Sequence, residues 1–288
     1  MKQIFVFILL LIPFMAKAND IINLDKEDGH YFFNSEINGK TTRIMLESAF
    51  PGLVIGDSIY NELFGYESTA KLSTEEKAKL VLTNKAYQIK HIVNDTIKIG
   101  DGLYSGKVFI VNNYNGVALP LQDYSNGEMG LYIDFQSLIL SFIDTGNIGS
   151  DYTQYQMNIT NGMPIISTSL ILESEDSIGK LTSDFIVDFG NAALLYLMKG
   201  NPDVDEMLNN SGINLSTAYD SHGNPVSEGI YANKISIGGM SFVDQSIGVT
   251  SKLKSFQRFA GLFGLKVFKE PIILDVPHKR LLIKKAPQ

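Results

Sequence analysis

The chain of 288 residues has no cysteine, no tryptophan and only four histidines. Without cysteine there is no disulfide, no thiol nucleophile and no thiolate metal site, so the fold must rest on its apolar core. His30, His91, His222 and His278 are scattered, and no two share a metal-ligand spacing, so each reads as a surface or turn residue. Basic charge is scarce as well: 24 Lys and Arg stand against 31 Asp and Glu, a net charge of −7. That balance disfavours nucleic acid and anionic membrane as partners. After the first 18 residues no stretch approaches the roughly 18 apolar residues of a spanning helix, so no membrane span is expected. "GDGLYSGK" lacks the spacing of a phosphate loop, and "DFG" stands without the rest of a kinase signature, so no cofactor is expected.

What is present begins with a leader. Lys2, the apolar run from Ile4 to Met15, and the small-x-small triplet Ala16-Lys17-Ala18 predict a cleaved signal peptide over residues 1–18. The chain is then exported, periplasmic or extracellular. Loss of Lys2 and Lys17 leaves 22 basic residues against 31 acidic ones, a net charge of −9 over 270 residues. That length suffices for one large domain or two smaller ones.

Short apolar runs such as "TIKIG", "KVFIV", "LILSFI" and "PIILDV", bounded by Gly, Asn and Asp, predict a chain built mostly of strands. Only "IYNELFGY" and "DVDEMLNN" have a helical period. An internal repeat organises the strands. "RIMLESAFPGLVIG" and "DFIVDFGNAALLYL" each set an acid, Glu47 or Asp188, between two apolar strings. "NDTIKIGDGLYSGKVFIV" matches "ANKISIGGMSFVDQSIGV", and "GEMGLYIDFQSLILSFI" matches "GLFGLKVFKEPIILDV". Glu47 and Asp188 are 141 residues apart, Gly100 and Gly238 138, and Gly130 and Gly264 134. The order and near-constant offset predict two lobes of one ancestry, residues 19–151 and 152–288.

An acid loop, a middle hairpin, Gly-x-x-Gly-Leu and a closing strand, twice over, resemble the retropepsin/pepsin-like aspartic peptidase family. The likeness extends over nearly the whole chain after the leader. It implies an all-β fold of two homologous lobes with a cleft between them and short helices after the acid loops. It also implies a dyad of Glu47 and Asp188, one carboxyl from each lobe. Such close carboxyls share a proton, so that one serves as base toward a water and the other as acid toward a carbonyl. The cleft of the family takes an extended peptide or a protein segment. Both lobes lie in one chain, so a monomer would be complete.

The two loops depart from the Asp-Thr/Ser-Gly pattern in different ways. Glu47-Ser48-Ala49 keeps the hydroxyl, lengthens the acid and replaces glycine; Asp188-Phe189-Gly190 keeps acid and glycine and loses the hydroxyl. In the family that hydroxyl bonds across to the other lobe's loop. An extra methylene moves a carboxyl by on the order of 1 Å, enough to cost ~10²-fold in rate. If the position of Ala49 requires φ > 0, the loop is strained or reshaped. Asp144-Thr145-Gly146 looks like an intact motif but follows its lobe's Gly-x-x-Gly-Leu and leads into polar sequence, so it reads as a turn. Tyr87, Tyr219 and His222 occupy the places where flaps or cleft walls would come.

Three functions are compatible with this pattern. One is a peptide-binding pseudoenzyme whose hydrolysis is weak or lost; another is an active aspartic endopeptidase with a Glu47/Asp188 dyad; the last is a non-catalytic assembly module.

Overall fold

The structure is a computed structural model that describes residues 21–65, 79–82 and 85–286. The leader expected over 1–18 lies outside the described residues.

The first acid loop belongs to a set of strands that runs β1 (Ile22–Glu27), β2 (His30–Ile37), β3 (Lys40–Glu47), β4 (Leu53–Gly56), helix α1 (Asp57–Phe64), β5 (Lys79–Leu82), β6 (Lys85–Ile99), β7 (Gly102–Val111), β8 (Val117–Pro120) and β9 (Tyr124–Ser125). A hairpin of β10 (Gly130–Asp134) and β11 (Ile139–Ile143) follows. The order then repeats with β12 (Tyr152–Thr160), β13 (Met163–Ser174), β14 (Ser177–Val187), β15 (Leu195–Met198), helix α2 (Pro202–Ser211), β16 (Ser216–Tyr219), β17 (Pro225–Ile237), β18 (Met240–Thr250) and β19 (Gly261–Phe263). The hairpin of β20 (Ile272–Asp275) and β21 (Arg280–Lys284) closes it. The fold is all-β with two lobes, as the sequence pattern predicts; of the windows of helical period, residues 59–64 lie in α1 and residues 203–210 in α2.

Local chemistry explains the joints. Asp28-Gly29, Asn38-Gly39 and Asn161-Gly162 have positive φ at both positions, the geometry of two-residue hairpin turns that suits Asn, Asp and Gly. In α2, Pro202 opens the helix, Asn201 caps it through the amides of Asp203 and Val204, and Gly212 ends it with φ 69°.

Within each lobe the acid-bearing strand lies beside a short parallel strand. β14 runs parallel to β19, pairing Phe185 with Gly261 and Val187 with Phe263, and β19 runs antiparallel to β15. In the first lobe β3 runs parallel to β8, pairing Ile44 with Val117 and Glu47 with Pro120, and β8 runs antiparallel to β4. This corrects one match of the repeat. The counterpart of "GLFG" is "VALP" at 117–120, not the segment around Gly127 and Gly130. The glycine search fails because "VALP" has none, whereas Gly130 answers a different demand. A Cβ there would meet Thr145 Cγ2 at 2.5 Å and Ile273 Cγ2 at 2.9 Å.

The lobes share a further sheet. Its strands run β1, β11, β10, β20, β21, β12, and its centre is the antiparallel pairing of β10 with β20, Leu131 opposite Leu274 and Ile133 opposite Ile272. One core of buried residues runs through the molecule, from Phe33, Leu46 and Tyr104 to Val187, Phe263 and Leu274. Among the described residues, no helix is long and apolar enough to cross a membrane.

Candidate functional site

Alternation along the two acid-bearing strands sets the site. On β3, Ile44 and Leu46 enter the main core, while Met45 joins a smaller cluster with Val54, Ile89 and Phe109; Glu47 follows Met45 in the same alternation. On β14, Phe185 and Val187 enter the main core, and Ile186 joins a third cluster with Met163, Ile165 and Leu262; Asp188 follows Ile186. Both faces are covered, which is why "IML" and "FIV" read as unbroken apolar strings.

Glu47 and Asp188 meet where the lobes meet: each carboxyl acts on the titration of the other, and the Glu47 carboxyl lies against Gly190, two residues after Asp188. Glu47 is buried and Asp188 half-buried. Each carboxyl accepts the amide two residues further on. Ala49 N donates to Glu47 Oε1 at 3.1 Å, and Gly190 N donates to Asp188 Oδ1 at 3.0 Å. Glu47 Oε1 also accepts Ser48 N at 2.9 Å.

Burial pushes both carboxyl groups above their ordinary range. The Ser48 and Ala49 amides and the bond from Asp188 oppose the rise at Glu47. Asp188 is driven well up, first by burial and then by the charge of Glu47. Two buried carboxyls this close titrate as a unit, and a single proton between them is favoured over double ionisation. That charge state is the one in which one group can act as base and its neighbour as acid.

The serine makes the bond between lobes. Ser48 Oγ donates to Val187 O at 2.8 Å and accepts Phe189 N at 2.8 Å, and Ser48 is fully buried. Phe189 makes no counterpart. Its fully buried ring packs 6.0 Å from Phe135 and 5.4 Å from Phe268, so the second loop is anchored by aromatic contact instead.

The glycine-to-alanine exchange has a steric explanation. Neither Ala49 nor Gly190 adopts positive φ, so no left-handed residue is needed in either loop. The strain considered for Ala49 is absent. Its methyl group packs against the second lobe's cluster of Met163, Ile165 and Ile186. Gly190 is required for space: a Cβ there would lie 2.0 Å from Glu47 Oε2 and 2.6 Å from Glu47 Cδ. The longer acid of the first loop thus reaches into the room that the second loop's glycine leaves open.

Of the residues assigned to flap or cleft wall, Tyr87 is half-buried on β6, its ring 5.2 Å from that of Tyr114 in an edge contact. Tyr219 and His222 lie on the β16–β17 hairpin. Tyr219 is 64% exposed, and the amide of His222 completes a turn on Asp220 Oδ1 at 2.8 Å. Asp144 is an exposed turn residue whose Oδ1 accepts Gly146 N.

Two residues near the pair carried no signal in the sequence. Tyr114 packs against the cluster of Met45 and Phe109, and its hydroxyl pKa is raised by burial first, then by Tyr87 and Glu47. Its one sequence mark is an aromatic ring inside the turn-forming string "NNYNG". His30, read as a surface or turn residue, is half-buried instead, beside the backbone of Gly190. Its Nδ1 is buried without a partner, and burial lowers its pKa. Among the described residues, no group of three or more His, Asp or Glu could hold a metal ion.

No protein-family model and no curated protein sequence matches the chain. Solved structures do. An aspartic proteinase from Irpex lacteus is similar with a TM-score of 0.54 and 14% identity, over 93% of this chain and 98% of that one. Conglutin gamma, a basic 7S globulin from lupine seeds, is similar with a TM-score of 0.51 and 10% identity, over 92% and 94%. The chain thus has the pepsin-like fold of two lobes. At these identities the likeness is one of fold alone, and one neighbour is named a proteinase while the other is named a globulin.

Proposed function

We propose that this chain is an exported protein that holds an extended peptide in the cleft over the Glu47–Asp188 pair, with hydrolysis weak or lost. The leader, residues 1–18, is removed, leaving lobes 19–151 and 152–288 of one ancestry. The observation that carries the reading is the meeting of two carboxyl groups from different lobes, each raising or lowering the other's titration and backed by Ser48 across the interface. A strand-like peptide laid over such a pair is held mainly by its backbone, and binding does not require bond cleavage.

The rate argument rests on Glu47. With Glu47 taken as the base toward water and Asp188 as the acid toward the peptide carbonyl, the position of the Glu47 carboxyl sets the rate. The extra methylene displaces the base by on the order of 1 Å, a misplacement able to cost ~10²-fold. A second reading, an active endopeptidase, is favoured by the matched amide contacts at 3.1 and 3.0 Å, which support both carboxyls alike.

Unfolded casein, offered to the mature chain from acid to neutral pH with and without a statine-type inhibitor, separates the two. The binding reading expects the inhibitor to bind, cleavage to be slow, and Glu47→Asp to speed it by about tenfold or more. Fast cleavage by the parent, lost in Asp188→Asn and Glu47→Gln, would establish the endopeptidase. No inhibitor binding and no cleavage by any of the four proteins would overturn both.

A further inference from the structure

Each lobe opens with a two-residue turn, and each turn is seated on the acid loop of the other lobe. Asp28-Gly29, between β1 and β2, has φ values of 50° and 81°; Asn161-Gly162, between β12 and β13, has 53° and 73°. A Cβ on Gly29 would stand 2.8 Å from the Cβ of Ala192, and one on Gly162 would stand 2.7 Å from the Cα of Pro51. Ala192 comes four residues after Asp188, and Pro51 four residues after Glu47. Polar contacts reinforce both seats. The Gln122 amide donates to the carbonyls of both Phe50 and Gly162, and the backbone of Gly190 acts on the imidazole of His30, next to Gly29.

The turn at Asn38-Gly39 provides the contrast. Its φ values, 48° and 77°, are those of the other two, yet a Cβ on Gly39 would meet nothing within 4 Å. Backbone geometry alone accounts for glycine at 39. At 29 and 162 the close approach of the opposite lobe is a further requirement.

We propose that these turns are reciprocal positioning elements: Gly29 sets the loop that carries Asp188, and Gly162 sets the loop that carries Glu47. The placement of each carboxyl is then fixed by the lobe that does not contain it. The inference rests on the reading that this pair is the working site. It also adds a reason why a pair shared between lobes can hold its spacing with only one of the two loop hydroxyls. Two carboxyls share a proton only at hydrogen-bonding distance, so a shift of either loop changes how the pair titrates.

The test compares Gly29→Ala, Gly39→Ala and the double variant Gly29→Ala/Ala192→Gly in the mature chain. The readouts are carboxyl NMR titration of Glu47 and Asp188 and the affinity for a statine-type inhibitor. Gly39→Ala is expected to lower stability and leave both readouts unchanged. Gly29→Ala is expected to shift the titration of the pair and weaken the inhibitor on the order of 10-fold. Ala192→Gly removes the atom that the new methyl meets, so the double variant regains both readouts but not the stability lost to turn strain. Gly29→Ala behaving like Gly39→Ala, or a loss that Ala192→Gly does not reverse, would overturn the proposal. Should Gly29→Ala fail to fold, Ala192→Val crowds the same contact from the other side and has the same expected effect. Inhibitor that never binds the parent sinks the peptide reading alone, because the carboxyl titration still reports on the seats.

Discussion

Ser48 connects the lobes with a single hydroxyl, donating to Val187 O and accepting from Phe189 N in a fully buried place. Ser48→Ala leaves both backbone groups unpaired and is expected to cost about 2 kcal/mol in urea unfolding. The carboxyl pair gives a pH signature of opposite character. The pKa values of Glu47 and Asp188 stand above their unfolded values, so the folded chain keeps a proton that the unfolded chain releases. The stability this lends is complete below the unfolded pKa and is lost as pH rises through the folded one. Asp188→Asn removes the titration. Its urea midpoint is therefore expected to gain on that of the parent as pH rises toward neutral, the reverse of what loss of a favourable ion pair would give. The two acids and Ser48 were legible because an acid set between two apolar strings, twice over, is conspicuous in sequence. Tyr114 and His30 were not: their importance comes from neighbours distant in the chain, and a single ring in a turn has no period to detect.

Among elements, the helices were legible from composition and the strand pairings only in part. Asn201, Pro202 and Gly212 mark α2 at both ends. Asn201→Ala loses the cap and the bond from Nδ2 to Gln257 O, and is expected to cost about 1–2 kcal/mol, measured by urea unfolding. The hairpins announce themselves through Asp-Gly and Asn-Gly. The parallel strands beside the acid loops do not, because what makes β8 the counterpart of β19 is the company of β3 and β4 rather than any residue of its own. Where the glycine is kept, it is needed: a Cβ on Gly264 would stand 2.3 Å from Ala193 O and 2.6 Å from Asn191 O. Both obstacles are backbone of the second acid loop's continuation. Gly264→Ala is expected to destabilise by about 3 kcal/mol and to yield little soluble protein.

For the molecule as a whole, the shared sheet decides whether two lobes behave as one body. At its centre, fully buried Asp275 accepts Arg280 Nε at 2.7 Å and pairs with His278 Nδ1 at 2.8 Å, while Arg280 also donates to Thr145 O. Burial would raise the carboxyl of Asp275, but the bonds from Arg280, His278 and Thr145 outweigh it and hold the pKa below the ordinary value. A depressed folded pKa contributes stability above the unfolded pKa, and that contribution fades as pH falls through the folded one. Asp275→Asn is therefore expected to cost about 3 kcal/mol near neutral pH, with the difference from the parent narrowing in acid, as read by unfolding across pH. The carboxyl pair favours acid and the shared sheet favours neutrality, so the stability of the parent should pass through a maximum between them.

The place of β21 in this sheet has a consequence for synthesis. It lies between β20 and β12 and follows every other strand of the sheet along the chain. Glu47 emerges 141 residues ahead of Asp188, and the sheet that unites their lobes is completed only by residues 280–284. A growing polypeptide therefore carries Glu47 without its partner while the next 141 residues are added. Whatever the two groups do together begins only once β21 has been made and paired, a delay written into connectivity rather than imposed by an inhibitor.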